Sequence, residues 1–146
     1  MSRNPLFDDS YCRLFGQGVG LDERTTPFFE RFYRYFLEDP EIANAFRGTD
    51  MDRQVSMLRK SFFHLVAFYV SHEPSAELER IGRIHGSLGI RGDFYDRWLD
   101  ALMAAVREFD AECDQETELA WRWAMTPGLT YMRLLGSLPT TGNSAP

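Results

Sequence analysis

Three side chains in this sequence could do chemistry. His85 closes a helix-spaced apolar series, Leu78, Ile81 and His85, directly before glycines at 86, 89 and 92. The spacing predicts one short helix with an apolar face and an imidazole at its far end, which Gly86 ends and turns into a corner. A histidine there is either a packed core residue or a metal ligand, and periodicity does not separate the two. As a ligand, the neutral ring would bind through one nitrogen. Its other N–H would bond a nearby acceptor, by default a carbonyl one turn back near Ile81. Tyr33 lies on an aromatic stripe, Phe29, Phe32, Tyr33 and Phe36, and a hydroxyl on such a buried face must find a partner. Gln54 sits at the edge of the next apolar stripe, ordinarily a solvated place.

Helices must position these residues. A weak pattern around Tyr11–Gly20 reads as a first helix after a polar lead-in, 1–9. Thr26-Pro27 is a start signal, with the threonine as cap, for the helix that carries Tyr33. Asp39-Pro40 opens a short helix reaching Phe46. Asp50 caps a long one with Met51, Val55, Leu58, Phe62, Leu65 and Tyr69 on one face. His64 lies off that stripe and His72 at its ragged end, so both read as surface or structural residues. Ser75 caps the helix that delivers His85, and Asp93 caps the next, with Phe94, Trp98, Leu102, Ala105 and Phe109 inward. After an acidic break at Asp110–Thr117, a final helix runs from about Glu118 to Leu135, with Pro127 bending it. No strand pattern or repeat is present, so the class is all-α: one domain over 1–135 and a disordered tail over 136–146.

Composition narrows the function classes. The chain has 146 residues with 12 Phe and a net charge of −6, which argues against nucleic acid and anionic membrane surfaces. No run approaches the ~18 apolar residues of a membrane span, and no signal-peptide pattern opens the sequence. Cys12 and Cys113 are two thiols far apart, which suits a reducing, cytoplasmic setting. No C-x-x-C-H motif for covalent cofactor attachment is present.

The combination of Tyr33, Pro40, Phe46, Gln54 and His85 resembles the bacterial globins over roughly residues 8–135. In that family a phenylalanine six residues beyond a proline stacks on the haem, which here is Phe46. Counting on, His85 falls at the proximal iron ligand. Phe32–Leu58 is similar in spacing to truncated haemoglobins. The chain lacks their Gly-Gly pair after the long distal helix, however, and keeps a full N-terminal segment and last helix. It thus looks more like the globin domain of globin-coupled sensors standing alone, with any signalling partner a separate protein.

The resemblance implies a globin fold of about seven helices around haem b. His85 would be the metal ligand, and Phe46, Phe32, Leu58, Phe62, Ile81, Ile84, Ile90, Phe94 and Trp98 would be the dry walls. Tyr33 and Gln54 would be the distal groups facing O₂, CO or NO. Arg53, Arg59, Lys60 and Arg83 are the cations available to the propionates. Reversible O₂ binding, for transport or stand-alone sensing, is the expected function. The alternatives are an NO dioxygenase served by a separate reductase and a haem-free signalling protein. A homodimer is left open.

Overall fold

The computed structural model describes residues 4–16 and 21–137. The first helix, α1 (Pro5–Phe15), starts earlier than the apolar pattern suggested. The Asn4 side chain accepts the Phe7 N–H and Pro5 fills the first turn, a start signal hidden in the polar lead-in. α1 ends at Gly16, and residues 17–20 of the expected helix lie outside the described residues. A 3₁₀ turn at Glu23–Thr25, capped by Asp22, runs straight into α2 (Thr26–Phe36). Thr26 is therefore inside the helix and not its cap, because Asp22 already accepts the first free N–H, that of Arg24.

α3 (Pro40–Ala45) starts on Asp39, α4 (Met51–Ser71) on Asp50 and α5 (Ala76–Ser87) on Ser75, each side chain accepting an N–H of the first turn. α6 (Gly92–Phe109) starts without a side-chain cap. Asp93 lies inside it, its carboxylate taken by Arg91 and Arg97 at 2.8 and 2.6 Å. α7 spans Gln115–Ser137 and continues through Pro127. Its start is set by Asp114, which accepts both the N–H and the hydroxyl of Thr117 at 2.8 Å. Residues 138–146 of the expected tail lie outside the described residues.

Among the described residues all regular structure is helical, and none of these helices is long and apolar enough to cross a membrane. α2 packs on α6 and α4, while α7 packs on α5, α4, α1 and α6. Phe29, Phe32, Phe62, Met103, Trp121 and Met125 are fully buried where these layers meet. Burying side chains of this size is worth about 1.5–3 kcal/mol each. A buried polar cluster fastens α1 to the far end of the chain. Trp121 donates to Ser10 Oγ at 2.8 Å, Ser10 donates to Asp110, and Arg13 forks onto both Asp110 oxygens at 2.8 and 2.9 Å. Cys12 is exposed and Cys113 half-buried, both as free thiols. Burial, then the nearby Asp110 and Glu118 charges, push the Cys113 thiol pKa up.

Candidate functional site

Between α2–α4 and α5–α6 the packing leaves a cavity of about 580 Å³. That is the size of a small-molecule or cofactor site. Phe46, Leu58, Phe62, Ile81, Ile84, Ile90, Phe94 and Trp98 line it, together with Tyr33, Gln54 and His85. Phe32 does not reach the lining. It is fully buried one layer back, its ring edge-on to Trp98 at 5.2 Å and to Tyr33 at 4.9 Å, so it props the residues that do.

His85 is placed by a joint between α5 and α7. Gly86 does not end α5, as its position in the sequence suggested; the helix runs on to Ser87. A Cβ at Gly86 would stand 2.5 Å from the Cα of Gly136, so glycine is there to let two helix backbones touch. On the preceding turn, a Cβ at Gly82 would meet Leu135 at 3.0 Å. The two glycines press one face of α5 against α7, and His85 projects beside that seam into the cavity.

The imidazole is poised as a ligand. Its Nδ1 lies 2.8 Å from the Ile81 carbonyl, which can only accept, so Nδ1 carries the proton and Nε2 the lone pair. Nε2 has no partner among the described residues. Burial lowers the His85 pKa, opposed in part by the Ile81 bond, which keeps the ring neutral near pH 7. No group of three His, Cys, Asp or Glu side chains able to hold a metal occurs among the described residues. A metal at Nε2 would therefore have to bring most of its ligands with it.

Tyr33 reaches the cavity from α2 and Gln54 from α4. The Gln54 amide donates to the Tyr33 hydroxyl at 3.2 Å. Because the oxygen accepts in that bond, the phenolic O–H remains a free donor. Tyr33 is buried, and burial pushes its pKa up to about 12, offset only slightly by Gln54, so it donates at all ordinary pH. The phenyl rings of Phe36 and Phe46 pack around it, Phe46 edge-on at 5.9 Å from Tyr33. Arg97 and Arg91 brace α3, which carries Phe46. Arg97 bonds Asp39 at 3.0 Å and Glu41 at 2.8 Å, Arg91 bonds Glu41 at 2.5 Å, and both guanidiniums lie over Phe94.

One edge of the cavity is polar. Lys60, Ser61 and His64 from α4 face Glu77 and Arg80 from α5. His64 is thus a cavity residue, its Nδ1 2.8 Å from the Ser75 hydroxyl that also caps α5. The signal was present as a second row on α4, Met57, Lys60–Ser61 and His64, one step round from the apolar stripe. Of the four cations expected at an acidic ligand edge, only Lys60 lines the cavity. Arg59 donates to the Leu21 carbonyl at 2.7 Å, and Arg83 pairs with Glu79 at 3.1 Å. Arg80, not anticipated, lines it while bonded to Glu77. Tyr95, also unanticipated, lies beside His85 with ring centroids 6.5 Å apart.

The chain is similar in fold and sequence to a protein from Pseudomonas aeruginosa PAO1 described as structurally highly homologous to a human haemoglobin. The two are 35% identical with a TM-score of 0.76, over 92% of this chain and 98% of that one. No family model and no curated protein matches the sequence.

Proposed function

We propose that this chain, which belongs to the haemoglobin-like globin family, binds haem b non-covalently and reversibly holds O₂, CO or NO in the cavity beside Tyr33. The observation that carries the reading is a pair of unsatisfied polar atoms in one apolar cavity: the Nε2 lone pair of His85 and the O–H of Tyr33. A buried lone pair and a buried donor without partners each cost stability, which a bound group supplying both would recover. A planar macrocycle that brings four of its own metal ligands and needs one more from the protein fits the single histidine. Its iron would supply an open axial position for a diatomic ligand.

The chain's own residues divide the work. His85 Nε2 would hold the iron, while the Ile81 carbonyl fixes the tautomer that leaves Nε2 free and raises its basicity. Phe46, Leu58, Phe62, Ile84, Ile90, Phe94 and Trp98 line the cavity and would keep water from the cofactor. Lys60 and Arg80 offer positive charge at the polar edge, where the cofactor's carboxylates would lie. The Tyr33 O–H would donate to the diatomic ligand, and Gln54 holds the phenol oriented from its acceptor side.

The test is a titration of the purified chain with haem. A 1:1 Soret band that shifts on adding CO to the reduced protein is the expected result. Failure to take up haem would overturn the reading. Reversible binding and NO oxidation served by a separate reductase would use the same cavity and the same Tyr33 donor. NO consumption by the oxygenated protein, followed by stopped flow, separates the two.

A further inference from the structure

A second, smaller cavity of about 320 Å³ lies behind His85, lined by Ile90, Gly92, Tyr95, Arg133, Leu134, Gly136 and Ser137. Two features of it are unexplained by packing. The first is a charge of the wrong sign. The guanidinium of Arg133 lies against the start of α6, with Nη2 and Nε 3.0 and 3.2 Å from where a Cβ of Gly92 would stand. A helix N-terminus carries partial positive charge, so a cation there is unfavourable unless something negative is shared. The carboxylates nearby give little relief. Asp96 meets Arg133 only at 3.4 Å and is largely exposed, while Asp93 is held by Arg91 and Arg97. No side chain caps this helix; the Arg91 carbonyl accepts the Phe94 N–H at 3.0 Å, and the Gly92 N–H has no partner among the described residues.

The second feature is Tyr95. Its side chain is more than nine-tenths buried, yet its hydroxyl makes no hydrogen bond among the described residues. The ring sits between the two cavities, with His85 on one side, and the Arg133 charge acts on the phenol. A buried phenol donor, a guanidinium and an uncapped helix start thus converge on one space.

We propose that this second cavity is a binding site for a small oxyanion of the phosphate class, held by Arg133, the Tyr95 hydroxyl and the Gly92 N–H at the start of α6. Such an ion accepts from all three donor types at once and reverses the charge conflict. The open side of Gly92 lets the guanidinium and the helix start approach the same ion. The site does not depend on haem, and it shares only Ile90 and Tyr95 with the larger cavity.

Inorganic phosphate is the probe, titrated calorimetrically into the full chain at constant ionic strength set with sodium chloride. Saturable binding at one site is expected. Arg133→Gln should weaken it by at least about tenfold, the loss of one charge-assisted contact. Tyr95→Phe, which keeps the ring and its packing, should weaken it severalfold. Arg83→Gln removes an equal charge from an exposed position on α5 and should leave it unchanged. Absence of saturable binding, or equal affinity in wild type and both site variants, would overturn the proposal. So would an equal loss in Arg133→Gln and Arg83→Gln, which would reduce the effect to net charge. Thermal melts of each variant separate a lost site from a lost fold.

Discussion

The Nδ1 of His85 lies 2.8 Å from the carbonyl of Ile81, four residues back on the same helix. That one bond decides which nitrogen is free, since a carbonyl leaves Nδ1 no role but donor. His85→Ala should fold and yet purify with little haem, and added imidazole should restore a ferrous spectrum. Full haem content with an unaltered spectrum would mean that another residue is the ligand.

Tyr33→Phe removes a donor and leaves the wall intact. Hydrogen bonds to charged acceptors are worth about 1.5–3 kcal/mol, so the O₂ dissociation rate should rise at least about tenfold. CO accepts such a bond weakly, and its off-rate should change much less. Gln54→Leu should act in the same direction with smaller size. The double variant should be less than additive, because the 3.2 Å bond couples the two. Flash photolysis and ligand displacement measure all four proteins. Parallel shifts for both gases would make Tyr33 a packing residue.

Gly86→Ala tests the joint. The new methyl would fall 2.5 Å from the Gly136 Cα, a backbone atom that cannot rotate away. Overpacking of this kind costs about 1–3 kcal/mol, despite the better helix propensity of alanine. Urea denaturation should show a lowered midpoint, and haem should be lost faster as His85 is displaced. An unchanged midpoint would mean that α5 and α7 can part freely.

Asp110 sets an acid limit. Burial raises its pKa, but the Arg13 fork, the Ser10 hydroxyl and the Glu112 N–H outweigh this and hold it below the ordinary carboxylate value. Because the folded pKa is depressed, its contribution is complete above the unfolded value of 3.8 and is lost as pH falls through the lower, folded one. Asp110→Asn should cost about 1.5–3 kcal/mol at neutral pH. It should also flatten the fall in stability on acidification, as read by melts from pH 7 to pH 2.

The elements that announce themselves locally were legible. Tyr33, Gln54 and His85 line one cavity because their helices carry strong apolar stripes, and the starts at Asp39, Asp50 and Ser75 are one-residue decisions. What failed depended on distant partners. Gly86 looks like a terminator until Gly136, fifty positions on, is beside it. Asp93 looks like a cap until two arginines claim it. Phe32 shares the stripe of Tyr33, but the ring of Trp98 stands between it and the cavity side. His64 reads as a surface residue because an apolar stripe marks where a helix meets the core, whereas the polar row beside it marks where a cavity opens.

The backbone contact between Gly86 and Gly136 also has a mechanical meaning. Side chains between helices act as springs that absorb small displacements by changing rotamer. Here that padding is missing, and the carrier of His85 rests directly on the last turns of α7. A displacement of α5 at His85 would therefore reach the last turn of α7 at Gly136 with no side chain between the two backbones to absorb it. Motion at the bottom of the pocket and motion at Gly136 would thus be coupled through backbone alone.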